Sequence, residues 1–289
     1  MKATIGLAQI APRLGDLEAN LEKHLDYIAQ ARAAGVDLLC FPELSLTGYS
    51  LQDLTYTVAT PPLPGDPYFA PLLDATRAGD LDLMVGFVDR DARGRFFIGA
   101  AYLAAGAVVH IHRKVYLPTY ALFDEGRYFA WGDSVRAFDT RFGRVGMLIC
   151  EDFWHLSTPY LLWLDGADIL LLHSASPGRG LDSEDRLSSV RWVEMMNQAY
   201  AGALTSVVVH CNRVGFEDGL AFWGGSLAFD PDGELIAQGP YYEEALVLAT
   251  IDTHSILRSR YRLPLLRDER TRMVMRELER IHAPNAAGE

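Results

Sequence analysis

Gly143-Arg-Val-Gly-Met-Leu-Ile-Cys-Glu-Asp-Phe-Trp-His155 is the stretch around which the chain is organised. Val145 to Ile149 is a short apolar run with β-branched residues, the pattern of a buried strand. It stops at Cys150, and two carboxylates, Glu151 and Asp152, follow at once. A thiol where a buried strand gives way to a polar turn stands at the rim of a sheet. In open α/β sheets that rim is where ligands bind. Taken alone, a single cysteine is more often a small buried hydrophobe, so the neighbouring segments must decide.

Upstream, strand and helix patterns alternate. Thr4 to Ile10 reads as a strand, and Asp16 caps a helix with Leu17, Leu21, Leu25 and Ile28 on one stripe, closed by Gly35. Val36 to Phe41 is the next strand and ends at Pro42-Glu43. Pro61 to Pro67 reads as a surface loop, and strand character resumes from Leu83 to Val88. Phe96 to Leu103 and Ala107 to Ile111 form a hairpin through Ala104-Ala-Gly106. From Lys114 to Asp133 the chain is long, aromatic and irregular, and such segments inside compact domains often carry function.

Downstream, a helix is expected near Thr158 to Asp165 and a strand at Asp168 to Leu172, with a polar end from His173 to Arg179. Ser183 is expected to cap a helix that opens with Glu184 and Asp185, where the macrodipole favours acids, and that turns Leu187, Val190, Val193, Met196 and Tyr200 inward. Leu204 to Val209, Gly225 to Phe229, Glu234 to Ala237 and Ala245 to Ile251 read as strands, with a turn at Pro231-Asp-Gly233. The late strands come without helices between them. The chain therefore reads as one α/β domain with two sheets, over residues 1–254, followed by a helical tail, 255–289, that packs on the body or on a partner subunit.

The 289 residues allow a large core, and the net charge of −12 argues against a nucleic-acid or anionic-membrane partner. Basic residues gather between Arg258 and Arg280, but Asp268, Glu269, Glu277 and Glu279 are interleaved with them. Three cysteines, Cys40, Cys150 and Cys211, do not make a disulfide framework, so a reduced cytoplasmic compartment is the default. The N-terminal apolar run is short and broken by Gln9, which favours a first strand over a signal peptide. No apolar run approaches transmembrane length.

Three strand ends look alike. Leu38-Leu-Cys-Phe-Pro-Glu43 ends in a carboxylate, His110-Ile-His-Arg-Lys114 in an ammonium, and Leu148-Ile-Cys150 in a thiol. If the three strands run the same way, these groups converge at one rim. A carboxylate can then take the thiol proton, while an ammonium stabilises the thiolate and any oxyanion. Singly, Glu43 reads as a solvated loop acid and Lys114 as a surface cation. The shared placement is what weakens those readings.

Phe41-Pro-Glu-Leu-Ser-Leu-Thr-Gly-Tyr49, His112-Arg-Lys-Val-Tyr-Leu-Pro118 and Gly146-Met-Leu-Ile-Cys-Glu-Asp-Phe-Trp154 resemble the three signature blocks of the nitrilase, or carbon–nitrogen hydrolase, superfamily. Cys211-Asn-Arg-Val-Gly215 and Trp223-Gly-Gly-Ser226 resemble later blocks, in order. The resemblance implies a four-layer αββα sandwich that pairs into dimers or larger assemblies. It also implies Glu43 as general base, Lys114 as stabiliser of the tetrahedral intermediate, Cys150 as nucleophile, and Glu125 as a second carboxylate, with Asp124 as the alternative. No metal or organic cofactor is implied.

Within the superfamily, Lys114 to Phe129 is most similar to the glutaminase domain of glutamine-dependent NAD synthetase. That likeness implies Glu151 as the acceptor of an α-ammonium, and Ser176 and Arg179 as holders of an α-carboxylate, with Ser174 as the rival serine. A guanidinium suits a carboxylate because it donates two parallel hydrogen bonds; the competing reading of Arg179 is a loop cation. Tyr49, Tyr120 and Trp154 would wall the pocket, with ordinary core packing as the competing reading, stronger for Tyr49. The synthetase's ATP-using segment has no counterpart in this sequence. The expectation is therefore a free-standing amidase on glutamine-like amides, with a separate ammonia-accepting subunit, a nitrilase or an N-carbamoyl amino acid hydrolase as alternatives.

Three rival readings remain. His155 and His173 could serve a Cys–His hydrolase, but the papain-type signature around the cysteine is missing. His110 and His112 share a strand face and could be half a metal site, without an obvious third ligand. An inactive hydrolase fold acting as a binding subunit is the non-enzyme reading, and the full catalytic set argues against it.

Overall fold

The computed structural model describes residues 1–180 and 187–283. The chain opens with β1 (Lys2–Gln9), α1 (Leu17–Ala33), β2 (Leu38–Cys40), α2 (Thr55–Val58) and α3 (Phe69–Thr76). β3 (Asp82–Arg90), β4 (Phe96–Ala104) and β5 (Ala107–Arg113) follow, and then the irregular segment. β6 (Phe138–Thr140) and β7 (Gly143–Ile149) precede α4 (Ser157–Leu164), β8 (Ile169–Ser174), α5 (Ser188–Leu204) and β9 (Val207–Asn212). A short ribbon, β10 (Val214–Glu217) and β11 (Leu220–Trp223), leads to β12 (Leu227–Phe229), β13 (Leu235–Gln238) and β14 (Ala245–Asp252). The last described elements are α6 (Thr253–Arg262), α7 (Leu265–Asp268) and α8 (Thr271–His282).

Two mixed six-stranded sheets result, ordered β14-β1-β2-β3-β4-β5 and β13-β12-β9-β8-β7-β6. Each has three parallel strands at its centre, β1-β2-β3 and β7-β8-β9. Parallel neighbours need long crossovers, and α1, α3, α4 and α5 lie in them. The strand period of two sorts the side chains of the second sheet. Val145, Met147, Ile149, Leu171, Val209 and Cys211 join the core shared with the first sheet. Leu148, Leu170, Leu172 and Val208 pack instead with Leu162 and Trp163 of α4 and Val193 and Tyr200 of α5. Helices therefore cover the outer faces of two stacked sheets, the αββα order that the resemblance implied.

The β4–β5 hairpin turns through Ala105 and Gly106, with φ of +50° and +77°, the two left-handed residues of a turn that suits strand twist. Some elements go beyond the sequence reading. α3 buries Phe69, Leu72 and Leu73 just after the proline-rich loop, and the β10–β11 ribbon was not foreseen. α5 is described from Ser188; its expected cap, Ser183, and its expected opening acids, Glu184 and Asp185, lie outside the described residues. In the tail, α6 buries Ile256 and Ser259, and Arg260 pairs with Asp168 at 2.6 Å. No residue of α8 is buried. Among the described residues, no helix is long and apolar enough to cross a membrane.

Candidate active site

Glu43 sits in the turn that follows β2. Phe41 N donates to Met84 O at 2.8 Å, which prolongs the pairing of β2 with β3. The turn then lies against Gly86 of β3, where a Cβ would come within 2.4 Å of Pro42 O and 2.5 Å of Leu44 N. Only glycine permits that approach. Glu43 is fully buried there. Its Oε1 accepts from Lys114 Nζ and its Oε2 from Ala175 N, each at 2.8 Å. Ala175 follows β8, so this carboxylate spans the gap between the sheets.

Lys114 follows β5, which runs in the same sense as β2 because two antiparallel steps separate it from β3. Its Nζ donates at 2.8 Å to both Glu43 Oε1 and Glu125 Oε1. Burial opposes a charge here, but Glu125 and Glu43 outweigh it and hold the ammonium well above its ordinary range. Glu125 stands in a single helical turn, Glu125–Arg127, within the irregular segment. Tyr49 OH donates to its Oε1 at 2.7 Å. Its Oε2 is buried without a hydrogen-bond partner among the described residues. Burial pushes this carboxyl up to about 7, with Lys114 opposing and Glu43 adding to the shift.

Cys150 ends β7 and opens a short 3-10 turn, Cys150–Trp154. Its φ is +43°, a left-handed backbone that is uncommon outside glycine and tends to occur at functional sites. Burial and then Glu43 push the thiol well above its usual range, while Lys114 pulls the other way. The resting sulfur therefore keeps its proton. The sequence pointed to a shared rim for the three strand ends without assigning them to a sheet. Glu43 and Lys114 leave the first sheet and Cys150 leaves the second, so the groups meet between the sheets.

Asp152, left without a role by the sequence, ties these pieces together. Its Oδ1 accepts from Val115 N and Tyr116 N, both at 2.9 Å. Its Oδ2 accepts from Ile149 N at 3.1 Å and lies 2.8 Å from His112 Nε2. His112 is thereby accounted for, and His110 stacks on Phe138 with ring centroids 4.4 Å apart. His155 stacks on Tyr116 at 3.5 Å, and burial pulls His173 down to about 3.

A cavity of about 550 Å³ opens over Cys150 and is lined by Tyr120, Glu151, Trp154, Ser176 and Arg179. Tyr120 OH lies 3.1 Å from both oxygens of Glu151. The Arg179 guanidinium lies over the rings of Tyr120 and Phe123, 5.6 and 5.3 Å from their centroids. Ser176 N donates to Asn212 Oδ1 at 3.0 Å. The rival Ser174 is fully buried with its Oγ 2.7 Å from His210 Nε2, and it does not line the cavity. Tyr49 does not line it either. It faces a second cavity of about 220 Å³ together with Gln52, Asp124, Glu125 and Asp218. Trp192 and Val193 of α5 also line the main cavity; their helical spacing marked Val193 only as inward-facing.

The arrangement places a thiol beside a buried carboxylate–ammonium–carboxylate row, at the floor of a pocket that offers one carboxylate and one guanidinium. Comparison with known proteins fits this chemistry. The sequence profile of the family described as carbon–nitrogen hydrolase matches residues 4–261. A glutamine-dependent NAD(+) synthetase of Thermotoga maritima is 34% identical over 259 residues, covering 88% of this chain and 43% of the synthetase. The chain thus spans less than half of that relative's length. An N-carbamoylputrescine amidase of Solanum lycopersicum is 27% identical over 271 residues, covering 88% of each chain. The crystal structure of a carbon–nitrogen hydrolase from Helicobacter pylori G27 superposes with a TM-score of 0.86 at 23% identity, over 97% of this chain and 99% of that one. Profile, relatives and fold agree: the chain belongs to the carbon–nitrogen hydrolase family.

Proposed function

We propose that this protein hydrolyses the side-chain amide of glutamine or a close analogue through a thioester on Cys150. The observation that carries this reading is the pairing of Glu43, Lys114 and Glu125 beneath a cavity that Cys150 shares with Glu151 and Arg179. Sγ attacks the amide carbon as its proton passes to Glu43. The oxyanion is met by Lys114 Nζ and the main-chain N–H of Glu151, two fixed donors in a water-poor site. Glu43 then gives its proton to the departing nitrogen, and ammonia leaves. Water, activated by Glu43 or Glu125, opens the thioester and returns the thiol.

Recognition follows from charge. Glu151 receives the α-ammonium, and Arg179 receives the α-carboxylate by two parallel hydrogen bonds. The ring faces of Tyr120 and Phe123 lie against the guanidinium and help hold it at that place. A second reading keeps this chemistry and passes the ammonia to an acceptor protein; the likeness to the glutamine-dependent synthetase favours it.

Ammonia release measured across glutamine, asparagine, simple aliphatic amides, N-carbamoyl amino acids and nitriles tests the substrate class. Glutamine is expected to give the highest kcat/KM. A nitrile preferred over every amide would refute the assignment.

A further inference from the structure

The β10–β11 ribbon carries a buried ion pair outside the reacting groups. Arg213, just before β10, is fully buried, and its Nη1 donates to Glu217 Oε2 at 2.9 Å. The other oxygen of Glu217 reaches across to the loop after β2, where Tyr49 N and Ser50 N donate to Oε1 at 2.8 and 2.7 Å. Gly48 makes the approach possible. Its φ is +79°, and a Cβ there would lie 2.8 Å from Glu217 Oε2. The Tyr49 main chain is thus pinned at the residue whose phenol donates to Glu125 Oε1.

We propose that Glu217, held by Arg213, is a positioning residue for Glu125: it fixes the Tyr49 main chain so that the phenol stays on Glu125 Oε1 and the second oxygen is left free for the reaction. The proposal rests on the reading of Glu125 as a working carboxylate and extends it to a residue remote from the pocket. The groups facing Glu125 are Lys114, Glu43 and Tyr49, with Cys150 within electrostatic reach and Asp124 and Asp218 on the wall of the second cavity. Among them Tyr49 is the donor that Glu217 controls. Losing that donor disfavours the Glu125 carboxylate and moves its titration upward.

The test follows kcat and KM against pH, from about 5 to about 9, on the full chain with the amide of the panel above that the wild type hydrolyses fastest, expected to be L-glutamine. Tyr49→Phe is expected to move the acid limb of kcat up by about one pH unit and to lower kcat near neutrality roughly fivefold, with KM within about twofold. Arg213→Met/Glu217→Ala removes both charges together, so no buried charge is orphaned, and it deletes the acceptor. It is expected to give the same shift and to add nothing to Tyr49→Phe in the combined variant. Arg213→Met/Glu217→Gln keeps an acceptor oxygen for both main-chain donors and is expected to restore the wild-type limb. An unmoved limb in the Ala variant, or a shift that adds to that of Tyr49→Phe, overturns the positioning role. Full activity in a Cys150→Ala control overturns the reading of the site itself, and the role of Glu125 with it.

Discussion

His112 Nε2 and Asp152 Oδ2 meet at 2.8 Å with both side chains buried. His112 lies two residues before Lys114, and Asp152 lies two residues after Cys150. The contact therefore joins the strand that delivers the ammonium to the turn that delivers the thiol, across the interface between the two sheets. With Val115 N, Tyr116 N and Ile149 N also donating to it, this carboxylate ties the segment that carries Lys114 to the segment that carries Cys150.

Asp152→Ala leaves three main-chain donors and one imidazole without their acceptor. Buried unsatisfied donors cost roughly 1–3 kcal/mol each, so a total loss of about 3 kcal/mol or more is expected. Urea unfolding of the variant against wild type checks this. An unchanged midpoint with unchanged kcat would show that Asp152 is not the tie.

The pH dependence has a definite sign. In the folded protein Glu125 titrates at about 7, against 4.5 for an ordinary glutamate. Between those values the folded protein holds a proton that the unfolded chain has lost. Stability therefore falls as pH rises through this window, by roughly 3 kcal/mol in all. Glu125→Gln is expected to remove that slope. Urea unfolding at several pH values reads it, and identical slopes in the two proteins would contradict the assignment. The same titration is expected to set the acid limb of kcat near neutrality.

Arg179→Ala is expected to raise KM for glutamine at least about tenfold while leaving kcat/KM for a simple aliphatic amide within about twofold. Steady-state ammonia release on the two substrates checks the difference. An equal effect on both would make Arg179 a wall of the cavity and not the carboxylate holder.

Much of the fold and part of the site were legible in the chain. Glu43, Lys114 and Cys150 each stand at the end of an expected strand, so a local pattern marked them. The alternation of strands and helices pointed to two covered sheets. Glu125 came only from a block resemblance, because nothing local separates it from Asp124. Asp152 and Glu217 escaped because their partners are remote in sequence: Glu217 lies 168 residues from Tyr49, and Asp152 lies 40 residues from His112. The likeness to the glutaminase domain put Tyr49 in the pocket wall, with core packing as a competing reading, stronger for it than for Tyr120. Its phenol instead donates to Glu125 Oε1. α3 was hidden by the neighbouring prolines and by Pro71 in its own first turn, where proline is tolerated.

The central claim is that hydrolysis runs through the sulfur of Cys150. Ammonia release from glutamine by purified Cys150→Ala, beside wild type at matched folded fraction, tests it most directly. The account predicts a fall in kcat on the order of 10⁴-fold or more with the unfolding midpoint retained. Near-wild-type turnover in that variant would contradict it.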